Sequence, residues 1–308
     1  MAFPSAESRG VAGCTPARRR IAQRGACLVP WLLACVAAPL SAASPGTSVH
    51  PVVPLDHLSA LKGDYFVQAS PTLGCGFQVD VRYPEGYAAA PTTRSPVVYL
   101  LDGDSLFPIL AATHLFLHDD DALPEAVVVG IAYGGFDPAV NRRGLDFSPP
   151  AAGAGEGQGG ADAFLAFLRT ELLPEVERRY RVDPARRVLV GQRRGGQVVL
   201  YSAFVDPDLF WGRIASNPAF DPGRERLFRA PAAATRHDLG LVVASGGHDR
   251  PPLREAALAW FDARRGRDAP WALHAITIPG GTHAADIGNS DRAGMRWLFA
   301  DRGDAPSP

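Results

Sequence analysis

Short apolar runs that end at turn residues, interleaved with stretches of helical spacing, constrain this chain more than any other feature. Val97–Leu101 stops at Asp102-Gly103-Asp104. Ala126–Tyr133, Val188–Val190, Leu241–Ala244 and Leu273–Ile278 repeat the theme. Runs this short and this apolar read as strands buried on both faces. Earlier in the chain, Phe77, Val79, Val81 and Tyr83 alternate with polar residues, the period-2 pattern of a half-buried strand. Between the runs the period changes. Leu106, Leu110, His114 and Leu117 share one helical face, as do Phe164, Phe167, Leu168, Leu172 and Val176. Asp162 is placed to cap the second of these helices, and Pro174 is expected to kink or interrupt it. Gly195–Phe204, Leu253–Ala263 and Ser290–Phe299 read as further helices. Strands alternating with helices require crossover connections, so the fold class is α/β: a mostly parallel central sheet with helices on both faces.

The ends of the chain read differently. Arg18, Arg19, Arg20 and Arg24 precede an apolar run from Ala26 to Leu40, and small residues follow at Ser41, Ala42 and Ala43. This is the pattern of an export signal over residues 1–43, cleaved after Ala43. Leu32-Leu33-Ala34-Cys35 also resembles a lipoprotein signal, which would give a lipid-anchored form. Pro30 and Pro39 interrupt the run, and it falls short of the roughly 20 residues of a membrane span. Residues 44–60 read as a linker, 61–300 as one domain and 301–308 as a tail. Three of the four cysteines (Cys14, Cys27 and Cys35) lie in the signal, so processing would leave Cys75 alone, without an intramolecular disulfide. The basic residues are nearly all arginine, but the formal net charge is -1, which argues against nucleic acid as a partner.

Three strand ends carry the chemistry, because functional groups of such sheets sit where strands give way to loops. Val188-Leu189-Val190-Gly191-Gln192-Arg193-Arg194-Gly195-Gly196 runs from strand through a glycine-flanked turn into a helix, the context of a nucleophile elbow. Ser245-Gly246-Gly247-His248-Asp249 and Ile278-Pro279-Gly280-Gly281-Thr282-His283 follow the next two apolar runs. Nucleophile, acid, histidine is the chain order of α/β-hydrolases.

With Tyr99-Leu100-Leu101-Asp102-Gly103-Asp104, Gly160-Ala161-Asp162-Ala163-Phe164-Leu165 and Arg179-Tyr180-Arg181-Val182-Asp183-Pro184, these segments resemble the esterase family that includes the enterochelin and bacillibactin esterases. The resemblance runs from about Ser70 to Phe299. It implies an α/β-hydrolase fold, ester hydrolysis by a serine–histidine–acid site, no metal or organic cofactor, and a small-molecule ester as partner. Carried over, it implies Asp249 as the acid and His283 as the general base. The oxyanion donors would be the backbone N–H of Arg194 and of a residue near Asp104. The nucleophile position falls on Arg193.

An arginine there cannot attack an acyl group, since its guanidinium stays protonated. Two readings follow: an esterase impaired by the loss of its serine, or a non-catalytic protein that binds an anionic ligand or a protein partner in the old cleft. Arg193 also needs an acceptor, and the expectation is a pair with Asp249 that crowds His283. Asp249 can alternatively cap the helix after it, and His283 can be an ordinary loop histidine. Arg142, Arg143 and Arg194 are candidates to hold an anionic substrate or to serve as surface charges. Asp119-Asp120-Asp121 reads as a solvated helix end.

Overall fold

Four of the apolar runs become inner strands of one eight-stranded sheet, and Leu273–Ile278 becomes part of its half-exposed edge strand. The computed structural model describes residues 61–155 and 157–300; the signal, linker and tail segments expected above lie outside the described residues. The strands are β1 (Gly63–Ser70), β2 (Cys75–Arg82), β3 (Ser95–Leu100), β4 (Val127–Ala132), β5 (Val182–Gln192), β6 (Gly212–Ser216), β7 (Leu239–Gly246) and β8 (Trp271–Ile278). Their spatial order is β1-β2-β4-β3-β5-β6-β7-β8. Only the pairings made by β2 are antiparallel. The sheet is therefore mostly parallel, as the pattern demanded.

Side-chain alternation along each strand divides the core in two. Val97, Tyr99, Val129 and Leu189 belong to one apolar cluster, whereas Val98, Leu100, Val128 and Val190 belong to the other. On the second face lie α1 (Gly103–Asp121) and α8 (Ile287–Phe299). They are tied by a buried contact of 3.0 Å between His114 Nε2 and an Asp291 carboxylate oxygen. The first face is covered by α3 (Ala161–Phe167), α4 (Leu173–Arg179), α5 (Arg194–Val205) and α7 (Pro251–Arg264). Short helices α2 (Arg143–Asp146) and α6 (Arg224–Leu227) lie in the connections. No helix among the described residues is long and apolar enough to cross a membrane.

Several expectations change in detail. Pro174 neither breaks nor ends its helix. The chain passes from α3 through a π-helical turn at Leu168–Leu172 into α4, where Pro174 sits in the first turn. Wider hydrogen-bond spacing before a proline accommodates its missing N–H. Asp162 does not cap α3: it accepts the Tyr201 hydroxyl at 2.7 Å, and the cap position is Gly160. Asp121 closes α1 by pairing with Arg292 at 2.6 Å rather than remaining solvated and free. The expectation for Cys75 concerns the chain after removal of residues 1–43, and Cys14, Cys27 and Cys35 lie outside the described residues.

The sequence pattern did not expose the role of Arg213 on β6, which is fully buried. Its guanidinium donates to Ser202 Oγ (2.8 Å) and to the carbonyls of Asp206 (2.7 Å), Phe210 (2.8 Å) and Pro207 (3.0 Å). It thereby satisfies acceptors at the C-terminal end of α5 and in the turn that follows, where a cation is favoured. Arg213→Met removes every one of these donors while keeping the volume. Chemical denaturation should show a loss of about 3 kcal/mol or more, since each stranded buried acceptor costs about 1–3 kcal/mol. A variant as stable as the parent would mean that water replaces the guanidinium.

Candidate active site

At the carboxyl end of the sheet, β5 turns into α5 through a single residue. Arg193 has φ 53° and ψ −108°, outside the regions a non-glycine residue favours, at a cost of about 1–3 kcal/mol. The turn is stitched to the end of β6. Arg193 N–H donates to Ser216 O (3.0 Å), and its carbonyl accepts Ala219 N–H and Gln197 N–H, each at 2.9 Å. The flanking glycines are sterically required. A Cβ on Gly191 would lie 2.5 Å from the backbone of Gly195, and one on Gly196 would lie 3.1 Å from both Ser216 O and Pro218 Cα.

The loops after β7 and β8 come together in the same way. Gly247 N–H donates to Ile278 O (2.8 Å) and His248 N–H to Gly281 O (2.7 Å). A Cβ on Gly246 would lie 2.5 Å from Gly281 O. This contact delivers His283 to Asp249: Nδ1 of the imidazole is 2.7 Å from Asp249 Oδ1. The Asp249 side chain is wholly buried and that of His283 only partly so. Asp249 Oδ1 also accepts Arg250 N–H at 2.6 Å. The N-cap of α7 is Arg250 and no side chain caps the helix, so the capping reading of Asp249 is not realised and its contact with His283 remains.

Two residues that the sequence did not single out hold the histidine loop. Asn217, at φ 43°, donates through Nδ2 to the carbonyls of His283 (2.9 Å) and Thr282 (3.2 Å) and accepts Gly246 N–H at 2.8 Å. Gln192 donates to the same His283 carbonyl. A signal existed: Asn217 follows the end of a strand, and asparagine tolerates left-handed backbone.

A cavity of about 250 Å³ opens here, lined among others by Asp104, Ser105, Phe136, Gln192, Arg193 and His283. The expected pair between Arg193 and Asp249 is absent: Asp249 Oδ1 holds His283 and Arg250 N–H, and its Oδ2 is buried without a hydrogen-bond partner. Among the described residues Arg193 forms no ion pair, and its Nε is buried without a hydrogen-bond partner. Arg194, the first residue of α5, keeps an unpaired helix N-terminal amide. Its guanidinium turns away to Ser148 Oγ at 3.0 Å. Burial lowers the pKa of Arg194, with the nearby charges of Arg193 and Arg143 adding to the effect. Arg143 is committed to Asp102 through two bonds of 2.7 and 2.8 Å, and Arg142 to Asp146 and Leu73 O. Neither guanidinium is free to hold an anion.

The carboxylate of Asp104 accepts Tyr133 N–H (2.8 Å) and Gly134 N–H (2.9 Å), pinning the end of β4 to the start of α1. Burial raises its pKa, and the backbone donors work against that rise. Asp80, on the neighbouring β2, is pushed up to about 6, first by burial and then by the charge of Asp104.

The family described as "Putative esterase" matches residues 70–297. The chain belongs to this esterase family. Curated relatives include the ferri-bacillibactin esterase BesA of Bacillus subtilis, 33% identical over 42% of this chain and 49% of that protein. The siderophore enterobactin esterase of Emericella nidulans is 31% identical over 58% of this chain and 67% of that one. The chain spans about half the length of the first two curated relatives it matches. An IroE-like serine hydrolase from Shewanella oneidensis superposes with a TM-score of 0.67 at 25% identity, covering 78% of this chain and 81% of that one. The siderophore hydrolase EstB from Aspergillus nidulans shares the fold at 23% identity, with a TM-score of 0.65 over 80% of this chain and 96% of that one. The α/β-hydrolase fold of the family is the fold of this chain.

Two measurements test the framework. Gly191→Ala should cost about 3 kcal/mol or prevent folding, whereas Gly155→Ala, with open space around it, should be silent in thermal melts. Asp80 holds its proton more tightly folded than unfolded, so its contribution to stability falls as pH rises from about 4 through about 6. Asp80→Asn should therefore gain melting temperature relative to the parent near pH 8 and gain less near pH 4. An equal difference at both ends would contradict the assignment.

Proposed function

We propose that this chain is a serine-esterase framework whose acyl-transfer step is disabled at the nucleophile position. One observation carries the reading. Arg193 occupies the strained elbow residue, while His283 and Asp249 keep their 2.7 Å contact beside it. In the intact design a serine at the elbow would attack the ester carbonyl, His283 would take its proton, and Asp249 would hold the imidazole in the productive tautomer. The N–H of Arg194 and a donor at the start of α1, near Asp104, would receive the oxyanion.

Other hydroxyls do not take over. Ser105, which lines the cavity, donates to Asp102 O at 3.2 Å. Ser202 donates to Val199 O, and Ser216 is bonded to Ser290 inside the fold. None of the described residues places a hydroxyl within hydrogen-bond distance of the imidazole. Loss of the triad serine costs on the order of 10⁶ in turnover. The relatives are named as siderophore esterases, so a siderophore-type ester is the substrate class proposed for the restored enzyme. Export through residues 1–43 is part of the same proposal and rests on the sequence pattern alone. A second reading, a binding protein for an anionic ligand, is favoured by the unpartnered Arg193 guanidinium.

The parent and Arg193→Ser are compared on a short p-nitrophenyl ester, with a fluorophosphonate probe as second readout. The parent should be silent and unlabelled. The variant should be labelled and should exceed the parent by roughly 10³-fold or more. Strong, probe-sensitive hydrolysis by the parent would overturn the reading, because it requires a nucleophile elsewhere. Silence in both proteins would show that the pocket, and not one residue, has been lost.

A further inference from the structure

The acids around the elbow are already engaged. Asp102 binds Arg143 through both oxygens, Asp104 accepts two backbone N–H groups, and Asp249 holds His283 and Arg250 N–H. Among the described residues no carboxylate pairs with Arg193, not even Asp249, whose Oδ2 is buried without a hydrogen-bond partner; the Arg193 Nε is itself buried without an acceptor, and the residue lines the cavity together with His283. An arginine side chain presents a rigid planar fork that matches a carboxylate, and a half-buried arginine whose Nε lacks an acceptor favours a ligand that supplies one. Phe136, 72% exposed, adds an aromatic wall to the same cavity. The orphan N–H groups at the start of α5 lie at the same elbow and also favour negative charge.

We propose that the cavity selects a free aromatic carboxylate, the acid rather than the ester, with Arg193 as the anchor. The inference deepens the reading of a disabled esterase and rests on it. The substitution that removes the nucleophile reverses the preferred charge of the ligand: a neutral acyl group leaves the guanidinium unpaired, whereas a carboxylate satisfies it. The site becomes a receptor for the class of molecule that ester hydrolysis releases.

Benzoate and benzamide form the test pair, being close in shape and differing in charge, and neither is an ester. Calorimetric titration of the full chain near neutral pH should show benzoate binding roughly tenfold or more tightly than benzamide. Arg193→Gln should abolish that preference. Arg178→Gln, which removes an exposed arginine paired with Glu175, should leave it intact. Equal affinities in the parent, no benzoate binding at millimolar concentration, or a preference that survives Arg193→Gln would each overturn the proposal. The two readings fail separately. Hydrolysis by the parent sinks the disabled-esterase reading while the benzoate preference is still measurable. Loss of that preference with an active Arg193→Ser variant sinks only the carboxylate site.

Discussion

The close approach of β5 to α5 at Arg193 governs the rest of the site. Here a strand turns into a helix over one residue because glycines stand two positions to either side, and a Cβ on Gly191 would lie only 2.5 Å from the backbone of Gly195. The bend then presents the Arg193 side chain outward and leaves the first amides of α5 unpaired. Bonds from the elbow to Ser216 O and from Ala219 fix it against β6, the strand whose end also carries Asn217. The elbow geometry is thus independent of the residue at its apex, which is why the frame persists with arginine there.

A second set of contacts joins the acid to the histidine. The loops after β7 and β8 meet through backbone bonds and glycines, and Asn217 binds both of them. The His283–Asp249 contact therefore depends on how these loops pack, with Gln192 also bound to the His283 carbonyl, and not on the Arg193 side chain. This separation explains why Arg193 fails to capture Asp249. Both hydrogen bonds to Asp249 fall on Oδ1 and its buried Oδ2 has no partner, so Arg193 is kept from this carboxylate by its placement and not by competition for it. The guanidinium is left facing the cavity without a protein anion.

Much of this was legible in the residues. Buried parallel strands announce themselves as short apolar runs, and Leu106, Leu110, His114 and Leu117 are all buried, as their spacing required. The three strand ends converge as their order suggested. What escaped notice has a common character. Asn217 and Gln192 act through hydrogen bonds to backbone atoms far along the chain, and Arg213 through bonds to the turn that precedes it, and such bonds leave no periodic trace. Arg143 reads as a free cation until Asp102, 41 residues away, is seen to hold it. Pro174 reads as a break because a π-helical turn has no sequence signature.

Local pattern alone determined the α/β class, the elbow and the arginine at its apex, because each depends on residue type and spacing within a few positions. The family then followed from the same segments. Only the folded chain decided which charges are paired, since an ion pair depends on which strand ends become neighbours and how deeply they are buried. The distribution of carboxylates among Arg143, the backbone and His283 is a property of the assembled sheet, and that distribution leaves Arg193 without a partner.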